Sequence, residues 1–202
     1  DEGTMDAVTR RLVLAVACAL LFCCPAWAYD AEAGRQKAAE LCAPCHGKDG
    51  ISEQTIVPSL AGQKNDYVVL ALYQFRAGHR PSEIMEPLAK PLTDDDLGNL
   101  AAYYSALKPW RPERTASPQA VASGPALALQ NHCIQCHAPG LAGQESIPRI
   151  AGQKVDYLTV QLKAFRAGHR GDIDGNMTSI AAGLSDSDIT TLADYASGLS
   201  TP

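Results

Sequence analysis

Leu97, Leu100, Ala101, Tyr104 and Leu107 recur at the three- and four-residue spacing that puts apolar side chains on one face of a helix. Ile189, Leu192, Ala193, Ala196 and Leu199 repeat that stripe near the C-terminus. Both stripes start in the same way. Thr93 and Ser185 stand at the N-cap, Asp96 and Asp188 three positions on, and Leu92 and Leu184 are placed to staple to Leu97 and Ile189. Two shorter helical patterns precede the first stripe, over 31–41 and from Asp66 to Ala77, with Gly78 as the stop of the latter. No segment alternates convincingly between apolar and polar, so the fold class is all-α.

The likeness of the two stripes extends to an internal repeat. AGQKNDYVVLALYQFRAGHR from Ala61 to Arg80 and AGQKVDYLTVQLKAFRAGHR from Ala151 to Arg170 agree at 13 of 20 positions. Around them Gly34 pairs with Gly124, Pro58 with Pro148, and Met85 with Met177. The chain therefore divides into tandem domains at 29–108 and 124–202. They are joined through 109–123, whose proline and small polar residues read as a linker.

In front of the domains, Arg10-Arg11, the apolar run from Leu12 to Cys24 and Ala26-Trp27-Ala28 form an export signal over 1–28 with an A-x-A cleavage site. Asp1 to Thr4 stand upstream of Met5, which reads as the initiator. The apolar run falls short of the ~20 residues that span a bilayer, so a cleaved signal is favoured over a retained anchor, and the expected location is periplasmic. Past Ala28 the chain keeps 15 basic and 19 acidic residues, a net charge of −4. Nucleic-acid binding needs a basic footprint and is set aside.

Seven cysteines are present, and Cys18, Cys23 and Cys24 lie in the signal. The other four fall in Cys42-Ala43-Pro44-Cys45-His46 and Cys133-Ile134-Gln135-Cys136-His137. C-x-x-C-H is the attachment pattern of c-type haem. Its two thiols reach the two vinyl groups of one porphyrin, and the adjacent histidine is held under the iron as proximal ligand. A redox dithiol or half a zinc site explains one C-x-x-C, but not two copies each followed by histidine behind an export signal. Two covalently bound haem c groups are the expected cofactors. They also supply apolar bulk to a chain in which aromatic residues are only 6%.

The sixth ligand decides what such an iron does. Of three methionines only Met85 and Met177 remain past the signal, at matching places ahead of the capped helices, in segments read as irregular. A thioether there raises the haem potential; the alternative is a methionine that fills a gap in the core. His79 and His169, each after FRAG, are the rival ligands, set in what reads as an exposed basic turn with Arg76, Arg80, Arg166 and Arg170. Tyr103 and Tyr195 correspond between repeats and are expected to pack near Gly34 and Gly124.

The two C-x-x-C-H motifs, the repeated P-x-[LI]-AGQ segment, the FRxG-ended helix and one methionine before each L-[ST]-D-x-D helix closely resemble the dihaem cytochrome c4 family over nearly all of Tyr29 to Pro202. The resemblance implies two class I cytochrome c domains related by a pseudo-twofold, with haems facing each other near the interface. It implies haem attachment at Cys42, Cys45, Cys133 and Cys136, and iron bound by His46 with Met85 and by His137 with Met177. The carbonyls of Pro58 and Pro148 would orient the histidines. Members are periplasmic one-electron carriers, so redox partners are implied: a quinol-oxidising complex and a terminal oxidase, with the carrier soluble or peripherally bound to the membrane. The alternative is the cytochrome subunit of a dehydrogenase, of flavocytochrome type. A dihaem peroxidase would need a vacant distal site, against which two well-placed methionines argue.

Overall fold

The computed structural model describes residues 29–110 and 115–200. The expected signal, its cleavage after Ala28 and the initiator Met5 lie outside the described residues, as do 111–114 of the linker. The first half contains α1 (Ala31–Leu41), α2 (Ala43–His46), α3 (Asn65–Arg76), α4 (Met85–Ala89) and α5 (Asp94–Ala106). The second contains α6 (Pro118–Gln130), α7 (Cys133–His137), a 3-10 turn (Pro139–Leu141), α8 (Val155–Arg166), α9 (Asn176–Ala182) and α10 (Asp186–Ser197). The described residues hold no strand, only a single antiparallel bridge between Gln144 and Ile147. Among them, no helix is long and apolar enough to cross a membrane.

Local chemistry sets the helix starts. Asp30 accepts from the N–H groups of Glu32 and Ala33 and caps α1. Thr93 and Ser185 form reciprocal capping boxes with Asp96 and Asp188 at the heads of α5 and α10. Helix α6 takes in Pro118 to Ser123 of the stretch read as linker, because Ser117 caps it and Pro118 opens it, where no N–H is needed. Past α3 and α8, Gly78 and Gly168 adopt φ near +70°, and the following His79 and His169 N–H groups close back onto Gln74 and Ala164 carbonyls.

Each half packs its last helix against its first and third. In the first half, Leu97, Leu100 and Tyr104 of α5 form a core with Ala38 and Leu92. In the second, Ile189, Leu192, Ala193 and Ala196 of α10 meet Ala128, Leu158 and Leu184. Arg76 ties α3 to the start of α5 through the Leu92 carbonyl at 2.9 Å and Asp94 at 2.6 Å. Arg166 repeats this on Leu184 and Asp186.

The glycine approaches differ between the halves. Gly124 faces Tyr195 as expected, whereas Gly34 lies against the Asn99 and Leu100 backbone, leaving Tyr103 to point its hydroxyl at the Lys48 carbonyl. Helix α1 thus sits closer to its partner, over backbone rather than over a ring.

The haem-motif loops also diverge. After His46 the chain turns through Gly47 at φ 82°, ψ 152°; after His137 the same turn is made by Ala138 at φ 62°, ψ 167°. A side chain in that region costs about 1–3 kcal/mol. Ala138→Gly should therefore raise the unfolding free energy of the second half by on the order of 1 kcal/mol. Gly47→Ala should lower that of the first, since its Cβ would collide with the Ile51 carbonyl oxygen. Denaturant titration of the haem-loaded protein, followed at each half by assigned NMR signals, measures both.

Candidate haem crevices

One cavity of about 1080 Å³ runs between the halves. It exceeds the roughly 300–1,000 Å³ of ordinary small-molecule pockets. All ten residues singled out in the sequence line it: Cys42, Cys45, His46, Pro58 and Met85 from the first half, and Cys133, Cys136, His137, Pro148 and Met177 from the second.

The short helices α2 and α7 carry the motifs. One helical turn brings the two thiols and the histidine of each motif to the same wall. His46 and His137 are buried, at 7% and 5% exposure, whereas Cys45 is exposed. His46 Nδ1 lies 2.9 Å from the Pro58 carbonyl oxygen, and His137 Nδ1 lies 2.8 Å from that of Pro148. Burial holds both imidazoles below their usual pKa, opposed only in part by those carbonyls. A neutral ring donating from Nδ1 leaves Nε2 free to bind a metal.

Met85 and Met177 stand at the openings of α4 and α9, not in irregular chain as the sequence suggested. The Met85 N–H donates to Ser82 Oγ at 3.0 Å, and the Met177 N–H to Asp172 Oδ2 at 2.7 Å. Side-chain acceptors thus hold each methionine backbone where a short helix begins, a signal too brief to stand out as periodicity. His79 and His169 are exposed. His79 stacks edge-on with Tyr73, their ring centres 6.2 Å apart.

The turn read as exposed and basic is not so throughout. Arg80 is buried at 7% exposure, and its guanidinium crosses to Tyr157 at 3.0 Å and Gln161 at 3.2 Å in the other half. Arg170 answers with bonds to Gln161 and, at 3.5 Å, to Tyr67. Each guanidinium also lies over a phenylalanine, Phe75 or Phe165. Burial pushes the Tyr67 phenol up, but the two arginines outweigh it and bring the pKa down to about 8. The sequence marked these arginines only as charges; that their stems fold inward depends on the opposite half.

These features test the fit of haem. Among the described residues neither Arg80 nor Arg170 pairs with a carboxylate, and the buried Arg170 Nε has no partner. One buried and one half-buried cation at the wall of an apolar cavity suit a macrocycle that carries its own carboxylates. The thiols, histidines and methionines suit its vinyl groups and iron. The residues fit.

Comparison with known proteins agrees. Residues 29–103 match the family described as cytochrome C oxidase, cbb3-type, subunit III, and residues 121–200 match the cytochrome c family. Cytochrome c4 from Thiocapsa roseopersicina is 40% identical over 182 residues, covering 85% of this chain and 93% of the relative. The chain belongs to the cytochrome c4 family. The crystal structure of reduced recombinant cytochrome c4 from Pseudomonas stutzeri superposes with a TM-score of 0.77 at 36% identity, covering 85% of this chain and 99% of that one. The thiosulfate dehydrogenase electron acceptor of Thiomonas intermedia is 36% identical over 202 residues, covering 93% and 91%. The chain is thus a dihaem electron-transfer protein of two cytochrome c domains and not an enzyme in its own right.

Intact mass under denaturing conditions should show two haem additions. Cys42→Ser combined with Cys45→Ser should leave one, and Cys133→Ser combined with Cys136→Ser the other.

Proposed function

We propose that this protein is an exported, periplasmic one-electron carrier. It would take electrons from a quinol-oxidising complex and deliver them to a terminal oxidase. Cys42 and Cys45 anchor one haem and Cys133 and Cys136 the other. His46 with Met85, and His137 with Met177, would bind the two irons, and the units that carry them would be 29–108 and 124–202. The observation that carries this reading is that one cavity brings together both C-x-x-C-H motifs and both methionines. When bound, haem c supplies a one-electron couple at each iron.

The chain's own residues do the rest. The buried histidines are held at Nδ1 by fixed carbonyls, which limits reorganisation around each centre. Met85 and Met177, which line the same cavity, would supply a soft neutral donor to each iron. Leu60, Val68 and Leu100 in the first half, and Leu141, Leu158 and Leu192 in the second, line the cavity with apolar groups and keep water out. Arg80 and Arg170, held by Tyr157 and Tyr67 where the two halves meet, would offset the negative charge of the haem carboxylates.

The relative from Thiomonas intermedia favours a second reading, in which the donor is a dehydrogenase rather than a quinol-oxidising complex. Stopped-flow mixing of the oxidised protein with thiosulfate dehydrogenase plus thiosulfate, and separately with a quinol-oxidising complex plus quinol, decides the donor. The first reading expects faster reduction by the complex, and the reverse order replaces it with the second. Failure of both donors, and of the reduced protein to sustain oxygen uptake by a terminal oxidase, would sink both.

The axial assignment has its own test. Met85→Ala should let one haem of the reduced protein bind carbon monoxide and should lower that haem's potential. Met177→Ala should do the same at the other. His79→Ala and His169→Ala should leave both haems low-spin and inert to carbon monoxide. The opposite pattern would transfer the sixth position to the histidines.

A further inference from the structure

Two buried glutamines join the halves, and both the oxygen and the nitrogen of each amide are engaged. Gln63 and Gln153 end the repeated AGQ segments and are each 7% exposed. Gln153 Oε1 accepts the Ser59 N–H at 3.0 Å, and its Nε2 donates to the Ser59 carbonyl at 2.9 Å. Gln63 Oε1 accepts the Arg149 N–H at 2.7 Å, and its Nε2 donates to the Arg149 carbonyl at 3.0 Å. Each side chain is steadied by the N–H of the next residue, Lys64 or Lys154, which also donates to its Oε1. Each glutamine therefore grips both main-chain groups of one residue in the opposite half.

The gripped residues follow Pro58 and Pro148. The Ser59 N–H and the Pro58 carbonyl belong to one planar peptide unit, and that carbonyl accepts from His46 Nδ1. The Arg149 N–H and the Pro148 carbonyl are joined in the same way to His137. A continuous path thus runs from each proximal histidine through a single peptide group to the glutamine of the other half.

We propose that Gln153 positions and polarises His46, and that Gln63 does the same for His137, so that each haem's proximal ligand is tuned by the opposite domain. The proposal rests on His46 and His137 being iron ligands. An acceptor on a peptide N–H polarises the amide and strengthens its carbonyl as an acceptor. A stronger acceptor at Nδ1 makes the imidazole a more basic ligand, which favours the oxidised iron. Removing the glutamine weakens the Nδ1 hydrogen bond and raises the potential. The effect is crossed: a change in the second domain reads out in the first. Simple clamping would act otherwise, because both glutamines hold one shared interface, and loosening it would disturb both haems alike.

The test uses the haem-loaded, full-length protein in NMR-monitored redox titrations, with the haems told apart by assigned signals of their C-x-x-C-H segments. In the parent, one Nδ1–H signal from His46 and one from His137, each shifted by its iron, establish ligation. Their absence would overturn the ligand assignment itself. Given that signature, Gln153→Leu should move the His46 Nδ1–H signal, speed its exchange with solvent and raise the first haem's potential. The second haem should shift by less than half as much. Gln63→Leu should give the mirror image. Should a leucine variant fail to fold, Gln153→Met and Gln63→Met, which keep the side-chain length but lose the amide, carry the same expectation. Equal shifts at both haems, or no shift with both Nδ1–H signals unmoved, would overturn the inference and leave the ligand assignment standing.

Discussion

The hydrogen bond from a buried histidine to a proline carbonyl, 2.9 Å at His46 and 2.8 Å at His137, is the contact around which each half is arranged. It needs a histidine fixed by a short helix, so the thiols precede it at a spacing of one helical turn. It needs a carbonyl that does not move, so proline stiffens the loop that carries it. Removing either histidine from water without this bond would leave a buried polar ring nitrogen unpaired, at a cost of about 1–3 kcal/mol. The loop is in turn folded back over the last helix, where Gly62 and Gly152 N–H groups bond to the Tyr104 and Ala196 carbonyls. The capped helices α5 and α10 are thus tied to the histidines through one short stretch of chain.

The halves do not meet as two finished globules. The apolar stripes of α5 and α10 pack on one side against helices and on the other line a cavity. Each core is therefore completed by a group that the chain does not itself provide. Because the two crevices open into one another, the interface and the cofactor pocket are the same surface. Arg80, Arg170, Tyr67 and Tyr157 belong to both, which explains how charges come to be buried at a boundary between domains.

Much of this was legible in the sequence, for reasons that differ by element. The C-x-x-C-H motifs and the capping boxes are local, with donor and acceptor within a few residues, so spacing alone reveals them. The repeat made the pairing of Met85 with Met177 visible but not their place at helix openings, because Ser82 and Asp172 act on backbone N–H groups that no periodicity reports. The inward turn of Arg80 was hidden for a similar reason: its acceptors, Tyr157 and Gln161, lie 77 and 81 residues away. The repeated AGQ was seen as an identity between copies. Its meaning lay in bonds spanning 86 and 94 residues.

Duplication accounts for the form of those long bonds. When two copies of one domain face each other about a pseudo-twofold, a residue near the axis meets the neighbourhood of its own counterpart. A glutamine that presents its amide to the loop beyond the proline therefore does so twice, once in each direction. Side chains at such positions cannot be optimised for one half alone. The copies have nonetheless drifted, in the turn after the histidine at Gly47 and Ala138, and at the contact between the halves at Ala71 and Gln161 on α3 and α8. The drift at Gln161 falls where both arginines converge on one acceptor, so the arginine network has a single glutamine on the second half's side and none on the first. That asymmetry gives the two crevices different electrostatic surroundings, although each contains the same set of candidate ligands.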